Sequence, residues 1–339
     1  MTQPEPHTPD PRPNRFDGVF RLFGPKRPSH GRFGQKLRRI GSGPEARTDA
    51  ASVDPVDRAD RTHHELRTVA LGLGYDGVPI VTDLDLEIAV GRITVIVGAN
   101  ASGKSTLLRG LARLLAPQSG VVLLDGIDIT KIPGKRVATA LGLLPQQPLA
   151  PEGITVGELV GRGRHPHQGW FRGTTAADDA IVADALVRTG TLDLAARRLE
   201  ELSGGQRQRV WIAMALAQDT DILLLDEPTS FLDVAHQIEV LDLLLELNRT
   251  RGTTIVMVLH DLNLAARYAD EMLVMRSGGI IAAGPPAKTL TVDVVRSAFG
   301  LDALVIPDPV CGSPLVVPIG RFHPAPTPAS VILGKANLS

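Results

Sequence analysis

Cysteine is nearly absent from the sequence, whose 339 residues contain one, Cys311. A single cysteine cannot close a disulfide within the chain, and the N-terminal region has no apolar core of the kind that a secretory signal requires. We therefore expect a reducing, cytosolic environment for this protein.

Long apolar runs are also missing. A membrane-spanning helix needs about 20 apolar residues in a row, whereas the best candidates, 222–225 and 255–259, have only the length of a strand. The formal net charge of −1 provides no overall attraction to nucleic acid or to a membrane. The overall charge thus gives no reason to expect a nucleic-acid partner, so any such contact would have to come from a local patch of charge. We expect contact with any membrane to go through a partner protein.

The bulk composition is that of a globular protein, with 43% hydrophobic and 22% charged residues. Residues 1–64 differ from this average because they are rich in Pro, Gly and Arg and have few apolar side chains, which predicts a disordered tail. Between Arg12 and Arg47 basic residues heavily outnumber Asp17 and Glu45. Such a segment favours an anionic lipid surface or RNA, and the alternative is a solvated tail without a partner.

From Leu66 onward, short apolar strands alternate with amphipathic helices, which predicts an α/β domain built on a largely parallel sheet. We expect the main domain over 65–303 with a separate helical lobe at about 152–205, a hairpin-like extension over 304–322 and a loose tail over 323–339. The predicted strands of the parallel sheet are 93–97, 221–225, 254–260 and 272–275.

A phosphate-binding loop follows the first of these strands. It has the spacing of a P-loop and precedes an apolar helix; its residues are Gly98, Ala99, Asn100, Ala101, Ser102, Gly103, Lys104 and Ser105. Glycines let backbone amides turn toward phosphate oxygens, and the helix N-terminus adds partial positive charge. We expect Lys104 to reach the β and γ phosphates, Ser105 to bind Mg²⁺ and Thr106 to contact the α phosphate.

Two carboxylates, Asp226 and Glu227, end the buried strand predicted at 221–225. Ligands of open α/β sheets bind at the carboxyl ends of the strands. We expect Asp226 to hold Mg²⁺, directly or through water, and Glu227 to polarise the attacking water.

A second anion-binding site is predicted where Ser203, Gly204, Gly205 and Gln206 open a helix, with Ser203 as its N-cap. The P-loop alone can hold the phosphate chain of one nucleotide, so a second anion-binding site in the same subunit is not needed for that nucleotide. This string resembles the signature motif of ATP-binding-cassette (ABC) ATPases, and the P-loop and acidic pair resemble their Walker A and Walker B motifs. The resemblance covers roughly 66–321 and implies a P-loop NTPase fold with a RecA-like core, an antiparallel β-subdomain and a helical signature subdomain.

The resemblance extends to four further positions. Tyr75 lies where the family's aromatic residue stacks on adenine, and Gln146 resembles the Q-loop glutamine that contacts Mg²⁺ or water. Asp233 ends a string that resembles the D-loop at the dimer interface, although Phe231 stands in place of the commoner alanine. His260 matches the H-loop histidine that contacts the γ phosphate and supports Glu227.

Several stretches resemble the ATPases of iron-siderophore importers and their vitamin B12 and haem relatives, among them 151–156, 211–218, 231–241 and 305–318. The resemblance implies ATP and Mg²⁺ as cofactors and a head-to-tail homodimer. It also implies a polytopic permease, an indirect link to a substrate-binding protein, and a peripheral location on the cytoplasmic face of the membrane. The alternatives are a vitamin B12 or haem motor, an exporter motor, or an ABC ATPase outside transport.

Overall fold

The fold is described from a computed structural model of the chain over residues 63–168, 174–320 and 322. The predicted tail over 1–64 lies outside this part of the chain except for its last two residues, and the predicted tail over 323–339 lies outside it entirely.

Twelve strands are found in the described ranges. They are β1 (Leu66–Tyr75), β2 (Val78–Glu87), β3 (Ile93–Gly98), β4 (Ser119–Leu124), β5 (Ile127–Asp128), β6 (Leu141–Leu144), β7 (Ile222–Asp226), β8 (Thr254–Val258), β9 (Glu271–Arg276), β10 (Gly279–Gly284), β11 (Ala303–Pro307) and β12 (Pro314–Pro318).

The same ranges contain nine α-helices. They are α1 (Lys104–Leu111), α2 (Gly134–Ala140), α3 (Val156–Arg162), α4 (Ala176–Arg188), α5 (Gly204–Ala217), α6 (Val234–Arg251), α7 (Leu262–Tyr268), α8 (Pro286–Thr289) and α9 (Val292–Phe299). None of the helices in the described ranges is long and apolar enough to cross a membrane.

The central sheet has six strands in the order β10-β9-β3-β8-β7-β6. Every pair from β9 to β6 is parallel, and β10 joins β9 in an antiparallel edge pair. Strands β3, β7 and β8 are buried along their whole length, which explains why they are continuous apolar runs rather than alternating ones. Their carboxyl ends meet at one edge and define where a ligand binds.

Two hydrophobic cores cover the two faces of this sheet. Residues of β3 alternate between them: Ile93 and Val95 pack with the helical segment that contains α3, α4 and α5, whereas Ile96 packs with α1 and the antiparallel sheet. That second sheet has the order β2-β1-β4-β5. The fold is therefore the α/β P-loop NTPase fold that the sequence predicted, with an antiparallel sheet and a helical segment beside the parallel core.

Strand boundaries differ slightly from the prediction. The strand predicted over 254–260 ends at Val258, two residues before His260. The chain leaves the sheet there because Asp261 is the N-cap of α7, accepting hydrogen bonds from the backbone N–H groups of Asn263 and Leu264. His260 thus lies in the turn between strand and helix. Strands β11 and β12 form an antiparallel hairpin that α7 contacts.

Candidate functional site

The P-loop connects β3 to α1, as its spacing predicted. Gly98 is required at the first position, since a Cβ there would lie 2.3 Å from the carbonyl oxygen of Met275. Gly103 takes the left-handed conformation, φ 100°, immediately before α1. The loop is thereby bent so that the N-terminus of α1 faces into it, which suits an anion.

Lys104 is buried and folds back over the loop. Its Nζ donates to the carbonyl oxygens of Gly98 and Ala99 at 2.8 and 2.9 Å. Burial lowers the pKa of Lys104, while the charges of Glu227 and Asp226 oppose that shift. Ser102 is also buried, and its Oγ has no hydrogen-bond partner among the described residues. A buried cation and an unpaired hydroxyl in one loop favour a polar, anionic ligand.

Asp226 ends β7 and lies next to Ser105 at the start of α1. The Ser105 hydroxyl donates to Asp226 Oδ1 at 2.9 Å. Burial raises the pKa of Asp226, and the Ser105 hydrogen bond works against that rise. A hydroxyl and a carboxylate oxygen at this distance are the hard oxygen donors that Mg²⁺ prefers, so these side chains fit the predicted ion.

Glu227 is the most heavily hydrogen-bonded carboxylate of the site. His260 Nε2 lies 2.6 Å from its Oε1, and the hydroxyl of Ser230 donates to its Oε2 at 3.0 Å. Burial on its own would raise the pKa of Glu227. Hydrogen bonds from His260, Gln146 and Ser230 outweigh burial and hold that pKa below its ordinary value. The carboxylate is therefore ionised and oriented.

Tyr75 lies at the end of β1, with its ring partly exposed. Its hydroxyl accepts a hydrogen bond from Arg109 Nη1 at 3.0 Å. Arg109 is four residues after Ser105 and therefore on the same face of α1. Sequence reasoning missed Arg109, and this helical spacing is the signal that would have found it. Ser230 was likewise not singled out as a partner of Glu227, although it stands three residues after it.

The signature residues form a second group. Ser203 is the N-cap of α5, and it forms a capping box with Gln206: Ser203 Oγ accepts from the Gln206 backbone N–H at 3.2 Å, and Gln206 Oε1 accepts from the Ser203 N–H at 3.1 Å. A Cβ built on Gly204 would lie 3.9 Å from Phe231 Cβ, and one built on Gly205 would lie 3.5 Å from Leu232. The signature therefore lies against the predicted D-loop.

Asp233 has a structural role in this chain. Its Oδ1 accepts from the His236 backbone N–H at 2.9 Å and lies 2.7 Å from His236 Nδ1, which makes Asp233 the N-cap of α6. These hydrogen bonds lower the pKa of Asp233. Phe231 beside it is 80% exposed.

The structure thus arranges the predicted site residues in two groups. The first contains Lys104, Ser105, Gln146, Asp226, Glu227 and His260; the second contains Ser203, Gly204, Gly205, Gln206 and Asp233. The first group has the parts of an ATP-hydrolysing P-loop site, namely a phosphate-binding loop, oxygen ligands for a metal and an oriented carboxylate. These features define the class of protein, a P-loop ATPase.

Comparison with known proteins supports this class and narrows it. The profile of the ABC transporter family matches residues 81–230. The chain is 54% identical over 75% of its length to the achromobactin transport ATP-binding protein of Dickeya dadantii, covering 94% of that protein. It is 52% identical over 76% of its length to a probable siderophore transport system ATP-binding protein of Bacillus subtilis, covering 93% of it.

A more distant relative is the cobalamin import ATP-binding protein of Halobacterium salinarum, 40% identical over 75% of this chain and 63% of that protein. Among solved structures, an inward-facing putative metal-chelate type ABC transporter matches with a TM-score of 0.65 and 28% identity, over 76% of this chain and 98% of the other. A dimeric bacterial ABC transporter cassette matches with a TM-score of 0.60 and 26% identity, over 65% of this chain and 98% of the other. The chain belongs to the ABC transporter family of ATP-binding proteins and is an ATPase.

Proposed function

We propose that this ATPase powers the import of ferric siderophores. The observation that supports a ferric siderophore as the cargo is the 54% and 52% identity to two subunits named for siderophore transport. The assignment of the cargo depends on this sequence identity, because a motor subunit is not expected to contact the cargo. Vitamin B12 is the second candidate, favoured by the weaker likeness, at 40% identity, to a cobalamin import subunit.

In the proposed mechanism, Glu227 accepts a hydrogen bond from the attacking water and aligns it with the γ phosphate. Its low pKa keeps the carboxylate ionised. His260, 2.6 Å away, fixes its orientation, and Gln146 and Ser230 hold it from other directions. Lys104 leaves the loop carbonyls to pair with the β and γ phosphates, a preorganised charge of the kind that stabilises a phosphoryl transition state.

Mg²⁺ would be held by Ser105 and Asp226, with Gln146 as a further oxygen ligand or a partner of its water. When bound, the ion neutralises charge on the phosphate oxygens. Tyr75 supplies a ring face for adenine, and its hydroxyl is anchored by Arg109. Thr106 and the loop residues Ala99 to Gly103 surround the remaining phosphate oxygens.

The second group of residues acts on the partner's nucleotide. In a head-to-tail dimer, Ser203, Gly204, Gly205 and Gln206 of one copy face the ATP held by the P-loop of the other. ATP then favours the closed dimer because it contacts both copies, whereas ADP lacks the γ phosphate that joins them. The dimer docks on a polytopic permease at the cytoplasmic face of the membrane, and the permease receives cargo from a substrate-binding protein.

Uptake by a deletion strain tests the cargo. Loss of this chain should abolish uptake of labelled ferric siderophore, and the wild-type gene should restore it where a Lys104→Ala gene does not. Uptake of labelled cobalamin in the same strain is the parallel measurement. Normal siderophore uptake with loss of cobalamin uptake would overturn the siderophore proposal and favour the second candidate.

A further inference from the structure

An open groove separates the edges of the two sheets. Strand β2 is the edge of the antiparallel sheet and β10 is the edge of the central sheet. The space between them has a volume of about 680 Å³, with Leu273 and Thr94 among its lining residues. Both flanking strands therefore present one side that has no neighbouring strand among the described residues, which is an arrangement that can accept an extended segment.

The lining of this groove is strongly acidic. Asp83, Asp85 and Glu87 follow one another at every second position of β2, and Glu271 lines the β9 side. Asp85 accepts a hydrogen bond from the backbone N–H of Ala70, and Glu271 Oε1 lies 3.8 Å from Arg92 Nη1. The side chains of Asp83 and Glu87 make no hydrogen bond or ion pair within the described residues.

A buried polar group in the same groove also lacks a partner. Thr94 on β3 is 2% exposed and lines the groove. Its Oγ1 has no hydrogen-bond partner among the described residues. An unpaired buried hydroxyl is unfavourable, so a ligand that reaches the bottom of the groove and offers a hydrogen bond would be stabilised by it.

Strand β1, which follows the N-terminal segment, begins beside one end of this groove. Arg67 pairs with Glu87 in the β1–β2 register, and the Ile88 N–H donates to the Leu66 carbonyl at 3.0 Å. Strand β1 thus begins at the Glu87 end of the acidic row. Two residues earlier, His64 Nδ1 lies 2.7 Å from Asp125 Oδ2, so the basic stretch has to reach the groove from that point. Residues 12–47 contain ten Lys and Arg against two acidic residues, which is the complementary charge.

The reach of the chain is sufficient. Fifteen residues connect position 47 to the first described residue, His63, and a flexible segment of that length spans roughly 20 Å on average. The acidic row from Asp83 to Glu87 covers about 14 Å at the rise of a strand. The basic stretch can therefore lie along the row without disturbing β1.

We propose that the basic stretch 12–47 binds in the acidic groove between β2 and β10 of its own chain. Its Arg and Lys side chains pair with Asp83, Glu87 and their neighbours, and a polar group of the stretch contacts Thr94 Oγ1. Docking withholds this basic charge from other anions. The groove lies outside the ATP site, so this interaction does not depend on the proposed cargo.

Carbodiimide cross-linking of the full-length protein tests the contact, because this reagent joins a lysine amine directly to a carboxylate. Lys26 and Lys36 are the two lysines among residues 1–62. We expect mass spectrometry to find them joined to Asp83, Asp85, Glu87 or Glu271. In a mixture of ¹⁴N- and ¹⁵N-labelled protein, these links should join peptides of the same isotope.

The groove variant is Asp83→Asn with Glu87→Gln. Asn suits position 83 because its φ is 49°, a region that Asn adopts readily. In this variant the links from Lys26 and Lys36 to Asp85 and Glu271 should fall at least fivefold. Glu152→Gln with Glu239→Gln changes the net charge equally at two exposed positions elsewhere, and in this control those links should persist.

Binding to immobilised heparin provides a second measurement. If docking withholds basic charge, the groove variant should elute at higher salt than the control variant of equal charge. Links from the tail lysines to carboxylates outside the groove, links mainly between isotopes, or equal elution of the two variants would each overturn the proposal.

Discussion

Glu227 combines an unusual backbone conformation with a fixed side chain. Its φ of 55° lies in the left-handed region, which is uncommon for a residue with a Cβ. Such conformations cost about 1–3 kcal/mol and persist where the surroundings enforce them. Here the hydrogen bonds from His260 and Ser230 hold the carboxylate in place. The backbone conformation and these two contacts together fix the carboxylate directly after the end of β7.

Glu227→Gln keeps the shape of this side chain but removes its charge. We expect the turnover number to fall by about 10²–10⁴-fold, the usual effect of losing a positioned base, while ATP still binds to Lys104 and the P-loop. ATP hydrolysis assays with Mg²⁺ measure the rate, and gel filtration should show an ATP-bound dimer accumulating.

Glu239→Gln, on the exposed face of α6, is the matched control and should hydrolyse ATP at the wild-type rate. Wild-type turnover in Glu227→Gln would mean that the wrong carboxylate has been assigned, and His260 would become the next residue to test.

The candidate site shows how far residue spacing alone can lead. The P-loop and the Asp226–Glu227 pair could be predicted because each is a local string at a strand end. The 2.6 Å contact between Glu227 and His260 could not be derived from spacing, since it depends on β7 and β8 being adjacent in the sheet. The hydrogen bond from Arg109 to Tyr75 depends in the same way on the packing of α1 against β1.

At the scale of elements, prediction found β3, β7, β8 and β9 of the parallel sheet, missed the short edge strand β6 and failed to delimit β1 and β2. The pairing of these two strands contains register shifts near Thr68, Leu71 and Leu73. Such bulges interrupt the strict alternation of apolar and polar residues by which a strand is recognised. The antiparallel sheet therefore came from the family resemblance, and its individual strands came only from the structure.

The helical segment is fastened by one buried ion pair. Arg164 Nε donates to Asp178 Oδ1 at 3.0 Å, and its Nη1 donates to the carbonyl oxygen of Ala217 at 2.9 Å. Asp178 also forms the capping box of α4 with Thr175. The Arg164 side chain is 7% exposed and the Asp178 side chain 10%, so water cannot easily take the place of either partner if the other is removed.

Arg164→Ala should therefore be strongly destabilising. It leaves a buried carboxylate and a buried carbonyl without their partner, which costs about 3–5 kcal/mol for a buried pair. The free energy of unfolding, measured by urea denaturation, should fall by that amount. Arg197→Ala is the control, because Arg197 and Glu201 form an exposed pair, and its loss should cost less than about 1 kcal/mol. An equal loss of free energy of unfolding in the two variants would show that the buried Arg164–Asp178 pair stabilises the fold no more than the exposed pair does.

The terminal hairpin is held to α7 by a second ion pair. Arg267 Nη2 lies 2.7 Å from Asp308 Oδ2, and Asn263 Oδ1 accepts from the Val316 N–H at 2.7 Å. The hydrogen bond from Arg267, assisted by one from the Val310 N–H, lowers the pKa of Asp308 to about 2.

This low pKa predicts a pH dependence of the hairpin contact. A carboxyl with a pKa lowered in the folded state stabilises the fold above its unfolded pKa, near 3.8, and that contribution is lost as the pH falls toward 2. The difference in urea midpoint between wild type and Asp308→Asn should be constant from pH 7 to about 4 and shrink below it. A difference that vanishes between pH 7 and 5 would contradict the assignment.

At the scale of the whole molecule, one chain carries both the P-loop group and the signature group, and the proposed dimer combines the P-loop group of one copy with the signature group of the other. The P-loop surface has Lys104 and Glu227, and the signature surface has Ser203 and two glycines. In the proposed head-to-tail dimer, two symmetric copies would complete both surfaces at once, because each contact of a twofold interface occurs twice. The apolar side chains of Phe231 and Val234, 80% and 74% exposed in the single chain, lie beside the signature and would be covered in such a dimer.

Phe231→Asn tests whether this exposed ring stabilises the dimer. Asn tolerates the φ of 66° at this position, so the turn should keep its conformation. Burying a Phe side chain contributes about 1.5–3 kcal/mol, and the contact occurs twice, so the dimer should dissociate about 10²–10⁴-fold more readily. Analytical ultracentrifugation of the Glu227→Gln protein with ATP and Mg²⁺, with and without Phe231→Asn, gives the dissociation constants.

Val310→Asn is the control for that experiment, because Val310 is 83% exposed in the tip of the hairpin, a turn that contains no residue of the P-loop group or the signature group. ATP binding by the single chain should remain unchanged in both variants, since neither residue lies in the P-loop group. If Phe231→Asn left the dissociation constant of the ATP-bound dimer unchanged, the ring would not be part of the interface. The departure from the family's usual alanine would then have no role in dimerisation.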